Sequence, residues 1–372
     1  MKVGITCYPT YGGSGVIATE LGKELAARGH EVHFISYALP FRLEQYQGNL
    51  FFHEVELVDY PVFDHPPYTV ALAAKMAVVA REAGLEILHV HYAIPHAVSA
   101  YLAKQVLGSR HPQVVTTLHG TDILLVGRDP SFHDITRHVI ENSDATTCVS
   151  HFLQRETKEL FQVNQNLTVI PNFVNTSLFI PGEGLRKRFA PGGERIFIHL
   201  SNFRPLKRVV DVIKVFALVA HEVPARLLMV GDGSQMPLAR QVAEEEKVSD
   251  KVIFLSRQRE VAPLLASADI FLLTSETESF GLAALEAMSC EVPVIGTRCG
   301  GLEEVVEDGV SGFLSDVGDV QDMARNCLRL LNDEKLHREM KRAARRRAVE
   351  LFDSRVVVPL YEQCYQRVLG TD

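Results

Sequence analysis

The sequence predicts an α/β protein built from two doubly wound parallel sheets, and three observations carry that reading. Short aliphatic and β-branched runs alternate with helical periodicity from end to end. Several of those runs, such as Gln113-Val114-Val115-Thr116-Thr117-Leu118, are apolar or β-branched on both faces, as strands covered by helices on both sides must be. The rhythm breaks once, at Pro171-Asn172-Phe173-Val174-Asn175-Thr176 and the Gly- and Pro-rich loop from Pro181 to Gly193, and then restarts. A length of 372 residues agrees with about two domains.

In the first half the strands fall at 2–7, 31–36, 51–58, 86–91, 113–118, 145–149 and 167–170, and the helices at 15–28, 69–83, 96–107, 131–142 and 151–161. In the second half strands fall at 195–200, 225–230, 251–255, 268–274, 292–296 and 312–314, with helices between them. The predicted domains are 1–172 and 173–353, with a last helix at about 354–372. Right-handed crossovers put the strand C-termini of each sheet, and the loops after them, along one edge. Two such edges facing each other make a cleft, a favoured place for a ligand.

Composition narrows the function. A net charge of −8 disfavours generic binding to nucleic acid or to an anionic membrane. The six cysteines have no CxxC spacing and read as small buried hydrophobes in a reducing cytosol, neither a disulfide framework nor a zinc site. No His/Asp/Glu cluster has metal-ligand spacing, and no metal or cofactor is expected. Met1-Lys2-Val3-Gly4-Ile5-Thr6-Cys7 is too short for a signal peptide and reads as the first strand, and no apolar run is long enough to span a bilayer. The seven basic residues between Lys335 and Arg347 read as a solvated helix face beside a thin, Ala-rich apolar side. Oligomeric state stays open, a homo-oligomer included.

The chemistry concentrates in Thr277-Glu278-Ser279-Phe280-Gly281-Leu282-Ala283-Ala284-Leu285-Glu286, which joins a strand to a helix. The N–H groups that open a helix are unpaired and partly positive, so Gly281 and Leu282 suit a phosphate. Glu286, a turn further on, suits a ribose diol, and Glu278 faces whatever the diphosphate carries. A glycosidase reading fails on distance. Retaining glycosidases hold their carboxylates about 5 Å apart, whereas eight helical residues rise about 12 Å. In Ser201-Asn202-Phe203-Arg204-Pro205-Leu206-Lys207-Arg208, Arg204 and Lys207 follow a strand and are placed to offset charge on a departing diphosphate. Gly13 to Ala18 also fit the dinucleotide fingerprint G-x-G-x-x-A, but Glu31 lies at the wrong end of the second strand to hold a ribose, which favours a phosphate- or acceptor-facing loop over NAD. His119, in His119-Gly120-Thr121-Asp122 at a strand end, is placed either to bond a sugar hydroxyl or to position the reacting centre. His89 and His91 read as core or supporting groups.

Together these motifs resemble the retaining GT-B glycosyltransferases of family 4. The mark is Glu-x7-Glu, here Glu278 to Glu286. The Gly-rich first loop, the basic loop, Val230-Gly231-Asp232-Gly233 and Ile170-Pro171-Asn172 follow the family order along essentially the whole chain. One departure is Asn202, which stands where members commonly carry the phosphate Arg, so Lys207 carries over more directly than Arg204. The resemblance implies a GT-B fold whose N-terminal domain binds the acceptor, whose C-terminal domain binds the nucleotide sugar, and whose last helix crosses back.

Further motifs, Gly4-Ile5-Thr6-Cys7-Tyr8-Pro9, Leu39-Pro40-Phe41-Arg42-Leu43 and Ile170-Pro171-Asn172-Phe173-Val174-Asn175, resemble the branch of the family that uses UDP-GlcNAc as donor and L-malate as acceptor. That implies metal-independent transfer in a bacterial cytosol, within bacillithiol biosynthesis. With retention implied, the expected mechanism is same-face attack, the leaving phosphate taking the malate proton. The donor is expected to touch Gly13, Arg204, Lys207, Glu278, Phe280, Gly281, Leu282 and Glu286, with Glu278, Lys207, Arg204 and His119 acting in catalysis. The malate dianion needs hydrogen-bond donors and positive charge from first-domain loops, for which Ser14, Arg42, Tyr92, Thr117 and Asn172 are the candidates. An acceptor such as a lipid, sugar or inositol phosphate, and a non-catalytic nucleotide-sugar binder, are the competing readings.

Overall fold

The computed structural model describes residues 1–43, 48–57 and 65–371. It divides into two compact units, Met1–Asn172 with Val357–Asp372, and Phe173–Val356. Among the described residues, unit 1 has strands β1 (Lys2–Thr6), β2 (Glu31–Ser36), β3 (Leu50–Glu54), β4 (Ile87–His91), β5 (Gln113–Leu118), β6 (Ala145–Cys148) and β7 (Leu167–Val169). Unit 2 has β8 (Arg195–Leu200), β9 (Ala225–Val230), β10 (Val252–Leu255), β11 (Ile270–Leu273), β12 (Val294–Thr297) and β13 (Gly312–Ser315).

Every ladder is parallel. The orders are β3-β2-β1-β4-β5-β6-β7 and β10-β9-β8-β11-β12-β13, each wound outward in both directions from a central pair. The central strands are sealed on both faces: Val3, Ile5, Ile87, Leu88 and Val90 have no exposed surface in unit 1, nor do Phe197, Leu227, Ile270 and Leu272 in unit 2. That sealing explains their two-sided apolar sequences. β3 is shorter than the predicted 51–58 because it is an edge strand with Phe51 and Leu57 exposed, and residue 58 lies outside the described residues.

Helices cover these sheets and start where side chains cap them. The Ser150 Oγ accepts the Leu153 N–H at 3.0 Å to open His151–Phe161, and Asp333 accepts the Leu336 N–H at 3.0 Å to open Glu334–Phe352. The Gly13–Ala27 helix approaches its sheet through Gly22, where a Cβ would stand 2.3 Å from the Phe34 ring and 3.2 Å from Ile5 Cδ1. The last helix, Ser354–Leu369, returns the chain to unit 1 at Val357. There the Tyr365 hydroxyl meets His89 Nδ1 at 2.7 Å, and Glu362 pairs with Arg28 and His30.

The basic helix departs from expectation. Lys335, Arg338, Arg342 and Arg346 do lie exposed, but Arg345 and Arg347 turn inward. The Arg345 guanidinium donates to the carbonyls of Thr176, Phe179 and Ser289 at 2.6–2.9 Å. Arg347 donates to the carbonyls of Glu304 and Val305. Arg345 thereby satisfies the C-terminal end of the Leu282–Ser289 helix, which would otherwise bury bare carbonyls.

Gly22→Ala is expected to destabilise unit 1 by about 1–3 kcal/mol, because Phe34 and Ile5 are fully buried and have nowhere to retreat. Urea unfolding checks this, and an unchanged midpoint would show that the helix stands off the sheet.

Candidate functional site

In unit 2 the central strands β8 and β11 lie side by side, yet their chains leave toward opposite ends of the sheet. The loops that follow them diverge and leave a crevice at the switch point. The β8 loop runs from Ser201 through a short turn, Pro205–Lys207, into the Val209–Ala220 helix. The β11 loop runs from Thr274 to Gly281 and opens the Leu282–Ser289 helix.

The two loops are stitched together. Thr274 Oγ1 donates to the carbonyls of Lys207 and Arg208 at 3.0 Å, and the Glu276 N–H donates to the Leu206 carbonyl at 2.8 Å. Across that seam Lys207 Nζ lies 2.6 Å from Glu278 Oε1, which also accepts the Ser275 hydroxyl at 2.6 Å. The Glu278 carbonyl takes the Gly301 N–H at 2.8 Å. Both charged side chains are largely buried, 18% and 10% exposed. Oε2 of Glu278 and two ammonium protons of Lys207 have no protein partner among the described residues. The pair is therefore a preformed acceptor and donor set side by side.

Gly281 holds φ at +100° and caps the helix with no side chain; a Cβ there would also stand 2.8 Å from Leu302 Cδ1. The first-turn N–H groups, Leu282 included, are left for an anion. Glu286 is one turn on from Leu282, on the same face, and 5% exposed. Phe280, expected to touch a donor, is 2% exposed, and its ring packs edge-on against Phe352 at 5.6 Å. Its ring anchors the loop, and only its backbone is left to meet a ligand. Arg204 is exposed and makes no ion pair among the described residues.

Sequence reasoning passed over His199, which sits inside the apolar alternation of β8. Its Nδ1 donates to the Leu272 carbonyl at 2.9 Å, and burial pushes its pKa down to about 4. The ring is thus neutral beside Lys207, and Nε2 accepts the Ser201 hydroxyl at 2.7 Å.

Unit 1 repeats the switch-point arrangement at β1 and β4. Gly13 opens the Gly13–Ala27 helix, and the Ser14 hydroxyl donates to the Tyr92 hydroxyl at 2.9 Å across the crevice. Tyr92 holds φ at +87°, an uncommon conformation for a bulky residue, and its ring touches those of Tyr8 and His119. His119 is 7% exposed, with Nε2 at 2.8 Å from His91 Nδ1. Asp122 pins both loops: Oδ1 accepts the N–H groups of His119 and Gly120, and Oδ2 that of Ala93. Burial nevertheless raises its pKa to about 6.

Of the remaining acceptor candidates, one is placed differently from the expectation. Thr117 has no exposed surface, and its hydroxyl is bound between His89 Nε2 and Thr147 Oγ1, both at 2.7 Å, so it supports the site from beneath. Arg42 is half-buried at φ +68° with its guanidinium 5.8 Å from the Phe41 ring. Asn172 keeps a buried Oδ1 with no hydrogen-bond partner among the described residues. All six cysteines are buried, and burial pushes the Cys7 and Cys148 thiols up to about 12, which keeps them protonated. Among the described residues no group of three His, Cys, Asp or Glu side chains is placed to hold a metal, and no helix is long and apolar enough to cross a membrane.

Residues 11–178 match the family described as Glycosyltransferase Family 4, and residues 183–347 match Glycosyl transferases group 1. The chain is 50% identical over 375 aligned positions to the N-acetyl-alpha-D-glucosaminyl L-malate synthase of Bacillus anthracis, covering 100% of this chain and 98% of that one. It is 28% identical to the D-inositol 3-phosphate glycosyltransferase of Thermobispora bispora, covering 87% and 82%. Among solved structures it is similar to the sucrose-phosphate synthase of Thermosynechococcus elongatus, with a TM-score of 0.82 at 21% identity and full coverage of both chains. It is also similar to Anabaena HepE, solved with UDP and glucose, with a TM-score of 0.80 at 20% identity over 98% and 99% of the chains. These structures show the GT-B fold.

Stability of unit 1 is expected to fall with acid below pH 6.5. Burial holds His89 and His119 at about 3 and His96 at about 4, with His91 also far below the usual value of 6.5. The unfolded chain therefore binds protons below pH 6.5 that the folded unit refuses, and each ring costs roughly 1 kcal/mol per pH unit. Asp122 opposes this below about pH 6, where its folded carboxyl takes a proton first. Urea midpoints at pH 7.5, 6.5 and 5.5 check the slope. A midpoint unchanged down to pH 5.5 would mean that the rings are charged in the folded protein.

Proposed function

The chain belongs to the family 4 glycosyltransferases, and from that premise we propose that it transfers N-acetylglucosamine from UDP-GlcNAc to the hydroxyl of L-malate. The product is N-acetyl-α-D-glucosaminyl L-malate, formed with retention, as the opening step of bacillithiol biosynthesis in the cytosol. The observation that carries the substrate pair is the 50% identity, across the whole chain, to a relative that bears this activity in its name. The geometry of unit 2 supports the chemistry.

In this reading UDP lies along unit 2. Glu286 accepts both ribose hydroxyls, and the Gly281 and Leu282 N–H groups meet the diphosphate. Lys207 and Arg204 offset the negative charge that builds as the anomeric C–O bond breaks. Glu278, tied down by Lys207 and Ser275, accepts hydrogen bonds from the sugar hydroxyls through Oε2. A carboxylate so engaged is a poor nucleophile. The new bond forms from the malate hydroxyl oxygen to the anomeric carbon on the face the phosphate leaves, and the malate proton passes to a phosphate oxygen. Ser14, Tyr92 and Asn172 are the unit 1 groups proposed for the acceptor, with Arg42 for a carboxylate and His119 and Gly13 for the donor side. Because side chains and helix N–H groups provide the positive charge, no resident metal is invoked, and turnover should survive EDTA.

Incubation with UDP-GlcNAc and a panel of acceptors, read by UDP release, tests the proposal. Release with L-malate is expected. Release only with an inositol phosphate, a sugar or a lipid acceptor would move the chain to another branch of the family, and binding without release would make it a sensor.

Glu286→Ala is expected to weaken UDP binding by about 2–4 kcal/mol, through loss of charge-assisted hydrogen bonds. Calorimetry reads this, and unchanged affinity would remove Glu286 from the ribose. Lys207→Ala should lower turnover by about two orders of magnitude or more. A variant with normal kcat would show that Lys207 does not meet the leaving group.

A further inference from the structure

At the C-terminal ends of β4 and β5 three imidazoles stack. The His89 and His91 ring centres are 4.5 Å apart, and those of His91 and His119 are 5.1 Å apart, at interplanar angles of 30° and 28°. His89 and His91 have no exposed surface. The second pair is joined by one hydrogen bond, His91 Nδ1 to His119 Nε2 at 2.8 Å. Two neutral rings can share that bond in two ways. Either His91 donates from Nδ1 and carries no proton on Nε2, or His119 donates from Nε2 and His91 carries its proton on its own Nε2.

The surroundings decide between them. His91 Nε2 is buried and has no hydrogen-bond partner among the described residues. A proton there would be a buried N–H with no acceptor, a rarer and more costly state than a bare lone pair. The ring has no room to turn away. His89 and His119 hold it on either side, and the His91 carbonyl accepts the His96 Nδ1–H at 2.5 Å. His119 is equally fixed, because Asp122 Oδ1 takes its own N–H and that of Gly120.

We propose that His91 is a positioning residue: by donating from Nδ1 it locks His119 in the Nδ1–H tautomer, so that His119 offers the substrate a hydrogen-bond donor and not a base. Burial keeps both rings neutral, which preserves this single arrangement. The His119 Nδ1 has no partner among the described residues, and its ring is not fully enclosed. A donor at that position suits a hydroxyl or carbonyl oxygen of the sugar. It also leaves the malate proton to the departing phosphate. The identity of the sugar rests on the proposed function; the tautomer does not.

The test is a long-range ¹H–¹⁵N correlation spectrum of the full-length protein labelled in its histidine rings, with His119 assigned from His119→Asn. The expected wild-type spectrum shows His119 protonated at Nδ1 and bare at Nε2. Protonation at Nε2 would overturn the proposal without any variant. His91→Asn places an amide N–H where Nδ1 stood, and should keep both the tautomer and most of the turnover. His91→Phe keeps the stack but removes the donor. It should release His119 to the Nε2–H form and lower turnover about ten- to a hundredfold, with UDP affinity unchanged. Retention of the Nδ1–H form in His91→Phe would also overturn it. An Nδ1–H wild type that releases no UDP with L-malate would sustain the tautomer and sink the acceptor assignment instead.

Discussion

Strands that lie side by side while their chains wind to opposite edges of a sheet must leave their following loops apart, and the candidate site is built on that gap. In unit 2 it lies between β8 and β11, and Lys207 and Glu278 reach across it to 2.6 Å. A buried carboxylate or ammonium alone would be strongly penalised; here each is held by the other, and Glu278 also by the Ser275 hydroxyl, with little water around them. A site that binds a diphosphate sugar needs that state before the substrate arrives, because groups already oriented need no reorganisation as charge moves in the reaction.

The surrounding structure keeps the pair in place. Thr274 and Glu276 donate to the carbonyls of the basic loop, the Gly301 N–H donates to the Glu278 carbonyl, and Arg345 fastens the far end of the helix that carries Glu286. Each of these contacts ends on a backbone carbonyl. Shells of this kind fix a constellation more tightly than loops alone.

Much of this was legible in the sequence, for a physical reason. Parallel sheets demand two-sided apolar strands, and a doubly wound sheet fixes where its loops emerge, so charged residues past a strand end, Lys207 and Glu278, stood out, with Glu286 on the helix that follows. What failed to show was polar chemistry hidden inside regular patterns. His199 occupies a strand position where any buried residue would serve, and for His91, read as a core or supporting group, only the structure reveals which partner it supports. Arg345 belongs to a run of basic residues whose exposed members, at helical spacing, read as a solvated face. Phe280 and Thr117 are expected from the sequence to meet a ligand, but the helix start and strand alternation turn their side chains inward.

The two units thus present opposite electrostatics at corresponding places in their folds. Unit 2 gathers a lysine, two glutamates and a helix N-terminus at its switch point. Unit 1 gathers tyrosine hydroxyls, a serine and histidines that burial keeps uncharged. Breaking a glycosidic phosphate bond puts positive charge on the sugar ring and negative charge on the phosphate. A cation beside the ring would oppose that separation, whereas a neutral donor can fix a hydroxyl without feeling the ring's charge strongly. A neutral donor is therefore the better contact for a sugar ring in such a transition state, and the histidines of unit 1 are of that kind. The dry environment of His91 and His119 is what keeps them so, because the same rings in water would be partly protonated near neutral pH.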